Sequence, residues 1–152
     1  MLLLRHASAG ERLSSPSLDR ARPLDGVGRA QAAHLSTMLS SDPLERIVSS
    51  PHVRCVETGA ELARTLGVVV ELRSELEPGA TKRETLALLR TLSSASLACS
   101  HREVFERLFD GNITCEKGGA WILERRGSRF VPGAYVPPPV RIRRARRRAA
   151  LV

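Results

Sequence analysis

Short aliphatic, β-prone runs alternate along this chain with segments whose apolar residues recur at helical spacing, and that alternation points to an α/β domain. Leu2–Leu4, Arg46–Ser49, Val68–Leu72 and Leu97–Cys99 read as strands. Val27, Ala30, Leu35, Met38 and Leu39 predict a helix that ends near Leu39. Ser8–Asp25, rich in Ser, Pro, Gly and charge, reads as a loop.

Helix punctuation sharpens the pattern. Ser50 suits an N-cap and Pro51 the first helical position. Val53, Val56, Ala60, Ala63 and Leu66 then predict a buried helix face, and Gly67 a C-terminal stop. Thr81 to about Leu92 reads as a helix with Leu86, Leu89 and Leu92 inward. Ser100 and Glu103 match a capping box ahead of Val104, Phe105, Leu108 and Phe109. Ala120–Leu123 and Arg129–Val131 read as a hairpin around Gly127. Residues 111–119 give nothing beyond a polar, Gly-containing connection. Pro137–Pro139 marks the expected end of the fold, which gives a domain over 1–136 and a Pro/Arg-rich basic tail over 137–152 without fixed structure.

Composition removes several classes. At 152 residues the chain has the size of one domain with a real core, and with only 3% aromatic residues that core rests on Leu, Val, Ile and Ala. No apolar run approaches a membrane span, and Met1–Leu4 runs straight into Arg5 and His6, unlike a signal peptide. Cys55, Cys99 and Cys115 are scattered without metal-ligand spacing, which suggests reduced thiols in a cytoplasmic protein. Of the net charge of +8, six charges sit on Arg141, Arg143, Arg144, Arg146, Arg147 and Arg148, which leaves +2 on the rest. Basicity therefore belongs to the tail, where it would serve a solvated end or a salt-sensitive anionic partner.

Three places fall just beyond the carboxyl ends of predicted strands, where an open α/β sheet binds its ligands. Arg5-His6 follows the first strand, Ser50–Arg54 the second, and Ser100-His101 a later one. The last two open helices, whose N-termini favour anions. Two histidines and two arginines at such places suit a single phosphoryl group, with no metal cluster in the pattern.

Those residues resemble a known family. Leu4-Arg5-His6-Ala7 is similar to the R-H-G/A signature of the histidine phosphatase superfamily, the phosphoglycerate-mutase-like fold. Arg22-Pro23-Leu24 with Gly28 and Gln31 resembles a stretch of its short bacterial branch. Ser49-Ser50-Pro51 with Arg54 and Thr58 resembles its second motif, and Cys99-Ser100-His101 stands where its second histidine lies. The subgroup most resembled is the compact SixA type of phosphohistidine phosphatase; similar domains also occur fused behind Nudix hydrolases. The resemblance implies a three-layer α/β/α sandwich with a mixed, mostly parallel sheet. It further implies that His6 is the nucleophile, that Arg5 and Arg54 grip phosphoryl oxygens, and that His101 donates to another of them. Neither metal nor cofactor is expected, since cationic side chains neutralise the phosphate.

Arg22 and Ser8 are candidates for the pocket mouth. Glu77, and less so Glu75, lie in the region where larger members place a general acid, although Leu76-Glu77-Pro78-Gly79 is not the usual acid motif. An imidazole leaving group carries its own proton, so a missing acid favours an N–P or otherwise activated substrate. The expected activity is a metal-independent phosphatase, foremost on protein phosphohistidine. The alternatives are a phosphomonoesterase or nucleotide phosphatase acting on a small phosphorylated metabolite, or a non-catalytic phosphate-binding domain with a basic interaction tail. His34 and His52 have no motif support, and Cys55 reads as a buried, inert thiol.

Overall fold

The computed structural model describes residues 1–139; the run Arg141–Arg148 and what was expected of it lie outside the described residues. The elements are β1 (Leu2–Arg5), α1 (Pro16–Arg20), α2 (Gly26–Leu39), β2 (Arg46–Ser49), α3 (Val53–Leu66), β3 (Val70–Leu72), α4 (Lys82–Leu89), β4 (Ser96–Ser100), α5 (Arg102–Leu108), β5 (Ala120–Arg126) and β6 (Arg129–Val136), with a 3-10 turn at Ser74–Leu76.

All six strands form one sheet in the order β3-β2-β4-β1-β5-β6. The first four run parallel and the β5–β6 hairpin closes one edge antiparallel, turning at Gly127 with φ of 63°. Alternating side chains feed two cores, as a sheet covered on both faces requires. Leu3, Val48 and Ala98 pack with Leu88 and Leu89 of α4 and with Val104 and Phe105 of α5. Leu4, Ile47, Leu97 and Cys99 pack on the other face with Leu35 of α2 and with Cys55 and Leu62 of α3. The result is the expected three-layer α/β/α sandwich.

Several local expectations need correction. Ser8–Asp25 is not all loop, because Pro16 at a helix start opens the short α1. Helix α3 begins at Val53 with His52 as its N-cap, so Ser50 caps nothing there. Ser100 caps nothing either: it is the last residue of β4, and its hydroxyl donates to the carbonyl of Leu76 at 2.7 Å. A serine that ends a strand and finds a buried acceptor has no reason to wait for a helix. Helix α4 is shorter than the apolar pattern implied, but Thr81 and Glu84 do form a full capping box.

The buried stripes of α2 and α3 are also rotated from the apolar count. On α2 the inward residues are Gly28, Gln31, Ala32, Leu35 and Ser36, and Met38 is exposed. On α3 they are Arg54, Cys55, Thr58, Gly59, Leu62 and Ala63. Both helices turn polar or very small residues toward the carboxyl ends of the strands, which apolar periodicity cannot register.

Candidate active site

Parallel pairing places β2, β4 and β1 side by side, so the residues that follow them meet at one end of the sheet. Backbone bonds tie them together: the His6 amide donates to the Ser100 carbonyl at 3.0 Å, and the Ser50 amide to the Cys99 carbonyl at 3.0 Å. Above this end lies a cavity of about 370 Å³ whose lining includes Arg5, His6, Arg54 and His101. These four, expected together from the sequence, are brought together.

His6 is 6% exposed. Its Nδ1 lies 2.8 Å from the carbonyl oxygen of Ala7, which only accepts, so Nδ1 carries the proton and Nε2 holds the lone pair. Burial, with Arg54 and Arg5 adding to it, lowers the His6 pKa from 6.5 to about 3. At neutral pH the ring is therefore an uncharged base. His101 is 1% exposed, and burial together with the other histidines and Arg54 lowers its pKa far below the ordinary value. The two rings meet edge to face with centroids 5.4 Å apart.

Arg54 is 2% exposed and held at several points. Its Nη1 donates to the Asp19 carbonyl at 2.7 Å, and its Nη2 lies 3.4 Å from Asp19 Oδ2 and 3.5 Å from His101 Nδ1. Arg5 donates from Nη1 to the Cys115 carbonyl at 2.7 Å. The Nε of each arginine is buried without a partner among the described residues. Both guanidiniums thus retain bonding capacity that the surrounding protein does not use. Thr58 joins the two halves of the site, its hydroxyl accepting from the Ala7 amide at 3.0 Å and donating to the Arg54 carbonyl at 2.6 Å.

The remaining expected residues divide. Arg22 lines the cavity and bonds Asp19 at 3.0 Å and the Ala9 carbonyl at 2.5 Å. Ser8 is not among the lining residues; its hydroxyl donates to Asp25 at 2.7 Å. Glu77 is not among them either, and its carboxylate accepts from Arg20 at 2.6 Å. Glu75 pairs with Arg73 at 2.7 Å. Among the described residues, no group of three or more His, Cys, Asp or Glu side chains could hold a metal ion.

Sequence reasoning missed several contributors. Arg12, Arg102, Glu103 and Lys117 also line the cavity. Asp19, from the segment read as loop, anchors both Arg22 and Arg54. Ser50, read as a cap, lies 2.8 Å from His101 Nε2 and accepts from the His52 amide at 3.3 Å. His52, read as incidental, stacks edge to face on His101 at 4.7 Å. Gly28 and Gln31 acquire a reason. Gly28 lets α2 touch the backbone of Ser8, while Gln31 accepts from the Ser8 amide at 2.9 Å and donates to the Lys117 carbonyl at 3.1 Å. A strand-end signal could have found Ser50; nothing in the sequence marks residues 115–119 as neighbours of His6.

Solved structures share this fold at low sequence identity. The protein histidine phosphatase SixA, complexed with tungstate, matches with a TM-score of 0.74 and 20% identity over 90% of this chain and 96% of that one. A mycobacterial glucosyl-3-phosphoglycerate phosphatase in complex with VO3 matches with a TM-score of 0.72 and 15% identity over 90% and 98%. In sequence, an 8-oxo-(d)GTP phosphatase of Mycolicibacterium smegmatis is 27% identical over 157 residues, which cover 91% of this chain and 48% of the relative. The chain therefore spans about half the length of that curated relative. Residues 1–79, which contain Arg5, His6, Arg22 and Arg54, match the profile of the histidine phosphatase superfamily (branch 1), and the chain belongs to that superfamily.

Proposed function

We propose that the protein is a phosphatase that works in two steps through a phosphoryl group carried on His6 Nε2. The observation that carries this reading is the hydrogen bond from Nδ1 to the Ala7 carbonyl, which leaves Nε2 a neutral nucleophile beside the buried Arg54 and the half-buried Arg5. Nε2 attacks phosphorus, the bond to the leaving group breaks, and water later hydrolyses the phosphohistidine. Arg5 and Arg54 hold the equatorial oxygens. Arg54 Nη2, which can only donate, lies 3.5 Å from His101 Nδ1, so Nδ1 accepts and the His101 proton sits on Nε2, donated to Ser50 Oγ at 2.8 Å; His101 thereby holds the Arg54 guanidinium in place beside the phosphoryl group. Donors fixed in this way are each worth on the order of 10²–10³ in rate. Tungstate and VO3 in the structural relatives are tetrahedral or trigonal oxyanions of the kind such a pocket suits.

The leaving group is one that needs no enzymic acid. Glu77 is bound by Arg20, and Glu103, the carboxylate among the lining residues, is paired with Arg12 at 2.5 Å. Burial works to raise the Glu103 pKa, but its backbone hydrogen bond and Arg12 outweigh it and keep the group below the usual carboxylate value. Protein phosphohistidine, whose imidazole carries its own proton, fits this limit and fits the SixA likeness. A nucleotide phosphatase is the second reading, favoured by the Mycolicibacterium smegmatis relative.

The test compares metal-free hydrolysis of a phosphohistidine peptide and an alkyl phosphate by wild type and His6→Ala. Turnover of the activated substrate that disappears in His6→Ala, with an acid-labile phosphoryl group trapped on His6, is the expected result. Full activity in His6→Ala would overturn the reading.

A further inference from the structure

The cavity holds more positive charge than one phosphoryl group uses. Beyond Arg5 and Arg54, its lining includes Arg12, Arg102 and Lys117. Arg12 is tied to Glu103 at 2.5 Å; the pair of Arg102 with Glu106, at 3.4 Å and more than half exposed on both sides, is weak enough to yield to an incoming anion, and no described carboxylate forms an ion pair with Lys117.

Lys117 is not on a loose loop. The Gly118 amide donates to the carbonyls of Arg5 and His6 at 3.1 and 3.0 Å, and the Arg5 amide donates to the Gly119 carbonyl at 2.9 Å. Gln31 holds the Lys117 carbonyl itself at 3.1 Å. The backbone that carries this cation is thus bolted to the backbone of the nucleophile. Burial, with Arg5, Arg22 and Arg102 nearby, lowers the Lys117 pKa against the opposing pull of Asp25, which forms no ion pair with it.

We infer that Lys117 and Arg102 form a second anion subsite for the leaving group, and that the substrate is a phosphoanhydride such as a nucleoside di- or triphosphate or pyrophosphate. This rests on His6 as the phosphoryl acceptor. His6 Nε2 forms a bond to the terminal phosphorus, the bridging P–O bond breaks, and its electron pair stays on the oxygen of the departing phosphate. Negative charge grows on that oxygen in the transition state, where fixed cations act most strongly. Water then cleaves the phosphohistidine, releasing orthophosphate and a proton, so no other reactant is needed. A departing phosphate leaves without an enzymic acid, in keeping with a cavity whose carboxylate is paired. An imidazole leaving group departs uncharged and gives Lys117 and Arg102 nothing to hold. The surplus of cations therefore favours the second of the two substrate readings above, a nucleotide or other phosphoanhydride, over protein phosphohistidine, with the His6 chemistry common to both.

The experiment measures kcat/KM for adenosine triphosphate, pyrophosphate, a phosphohistidine peptide and p-nitrophenyl phosphate in wild type, Lys117→Gln, Arg102→Gln, Lys117→Arg and His6→Ala. Calorimetry of imidodiphosphate and orthophosphate accompanies the rates, and urea melts confirm that each variant folds. Wild type is expected to prefer an anhydride and to bind imidodiphosphate more tightly than orthophosphate. Losing one charged contact to the leaving phosphate is expected to cut the ratio of anhydride to aryl phosphate turnover about tenfold or more in Lys117→Gln and Arg102→Gln. Lys117→Arg is expected to restore much of it. Activity confined to the aryl or phosphohistidine substrate, or a ratio unmoved by both neutral variants, overturns the subsite while leaving the His6 mechanism standing. Anhydride turnover that survives in His6→Ala overturns both.

Discussion

Replacing Gly28 with alanine should destabilise the protein, against the sign that helix propensity alone gives. In an exposed helix interior the change gains about 0.8–1 kcal/mol. At Gly28 the added methyl would overlap the Ser8 carbonyl oxygen and lie 2.9 Å from its carbonyl carbon and 3.1 Å from its nitrogen, all backbone atoms. Relief requires α2 to retreat from the segment that follows β1, at an overpacking cost of about 1–3 kcal/mol. Retreat also strains the Gly28 amide bond to Asp25, 2.8 Å, and the Ser8 amide bond to Gln31, 2.9 Å, together worth about 1–2 kcal/mol. After the propensity gain the net loss is about 2 kcal/mol. Urea unfolding followed by Trp121 fluorescence should show a midpoint lower by about 1 M, given m-values of about 1–3 kcal/mol/M. Gly26→Ala is the control in the same helix, since a methyl there meets only Arg29 Nη2 at 3.7 Å. A Gly28→Ala midpoint equal to or above that of Gly26→Ala would refute the close approach.

Asp19→Asn should lower kcat/KM about tenfold by freeing Arg54 and Arg22 from their shared carboxylate, as steady-state kinetics would show; a change under twofold would mean the Asp19 carbonyl alone suffices. Ser50→Ala should reduce kcat by about 10-fold or more with little change in KM, because it disturbs the proton position on His101 and not the cavity wall. Glu77→Gln should leave rates on every substrate within about twofold, and a selective loss on alkyl phosphates would identify it as an acid after all. Folding of His6 in its neutral form means that the unfolded chain binds the extra proton between pH 6.5 and about 3. Stability from this residue is thus fully present above pH 6.5 and drains away as pH falls toward 3, so the urea midpoint should fall less steeply in His6→Gln.

What the sequence made legible was the chemistry that sits on regular elements. Arg5 and His6 at the end of an aliphatic strand, Arg54 in the first turn of a helix, and His101 after Cys99 could each be placed because strand ends and helix starts announce themselves locally. Asp19 could not, since its helix is five residues long and only tertiary contact explains its burial. Lys117 was hidden for a related reason: residues 115–119 lack periodicity, and their position follows from pairing with β1. Ser50 and Ser100 were misread because a serine before a helical pattern looks the same whether it caps the helix or serves a buried neighbour. The stripes of α2 and α3 failed in the same sense, since Gln31, Arg54 and Thr58 are inward for the site and not for the core.

The insertion of β4 between β1 and β2 has a consequence for how the chain reaches its active form. The ribosome makes β1 and β2 first, yet they never touch; each waits for Ser96–Ser100, whose residues pair with Leu2–Arg5 on one side and Arg46–Ser49 on the other. Until that strand docks, two strand edges stand open to other chains, the situation in which aggregation competes with folding. Pairing Leu2 with Leu97 and Arg46 with Ser96 brings together residues far apart in sequence, and such non-local contacts slow folding. Because His101 directly follows the strand that joins β1 to β2, catalytic competence cannot precede that docking, and turnover can serve as a clock for closure of the parallel part of the sheet.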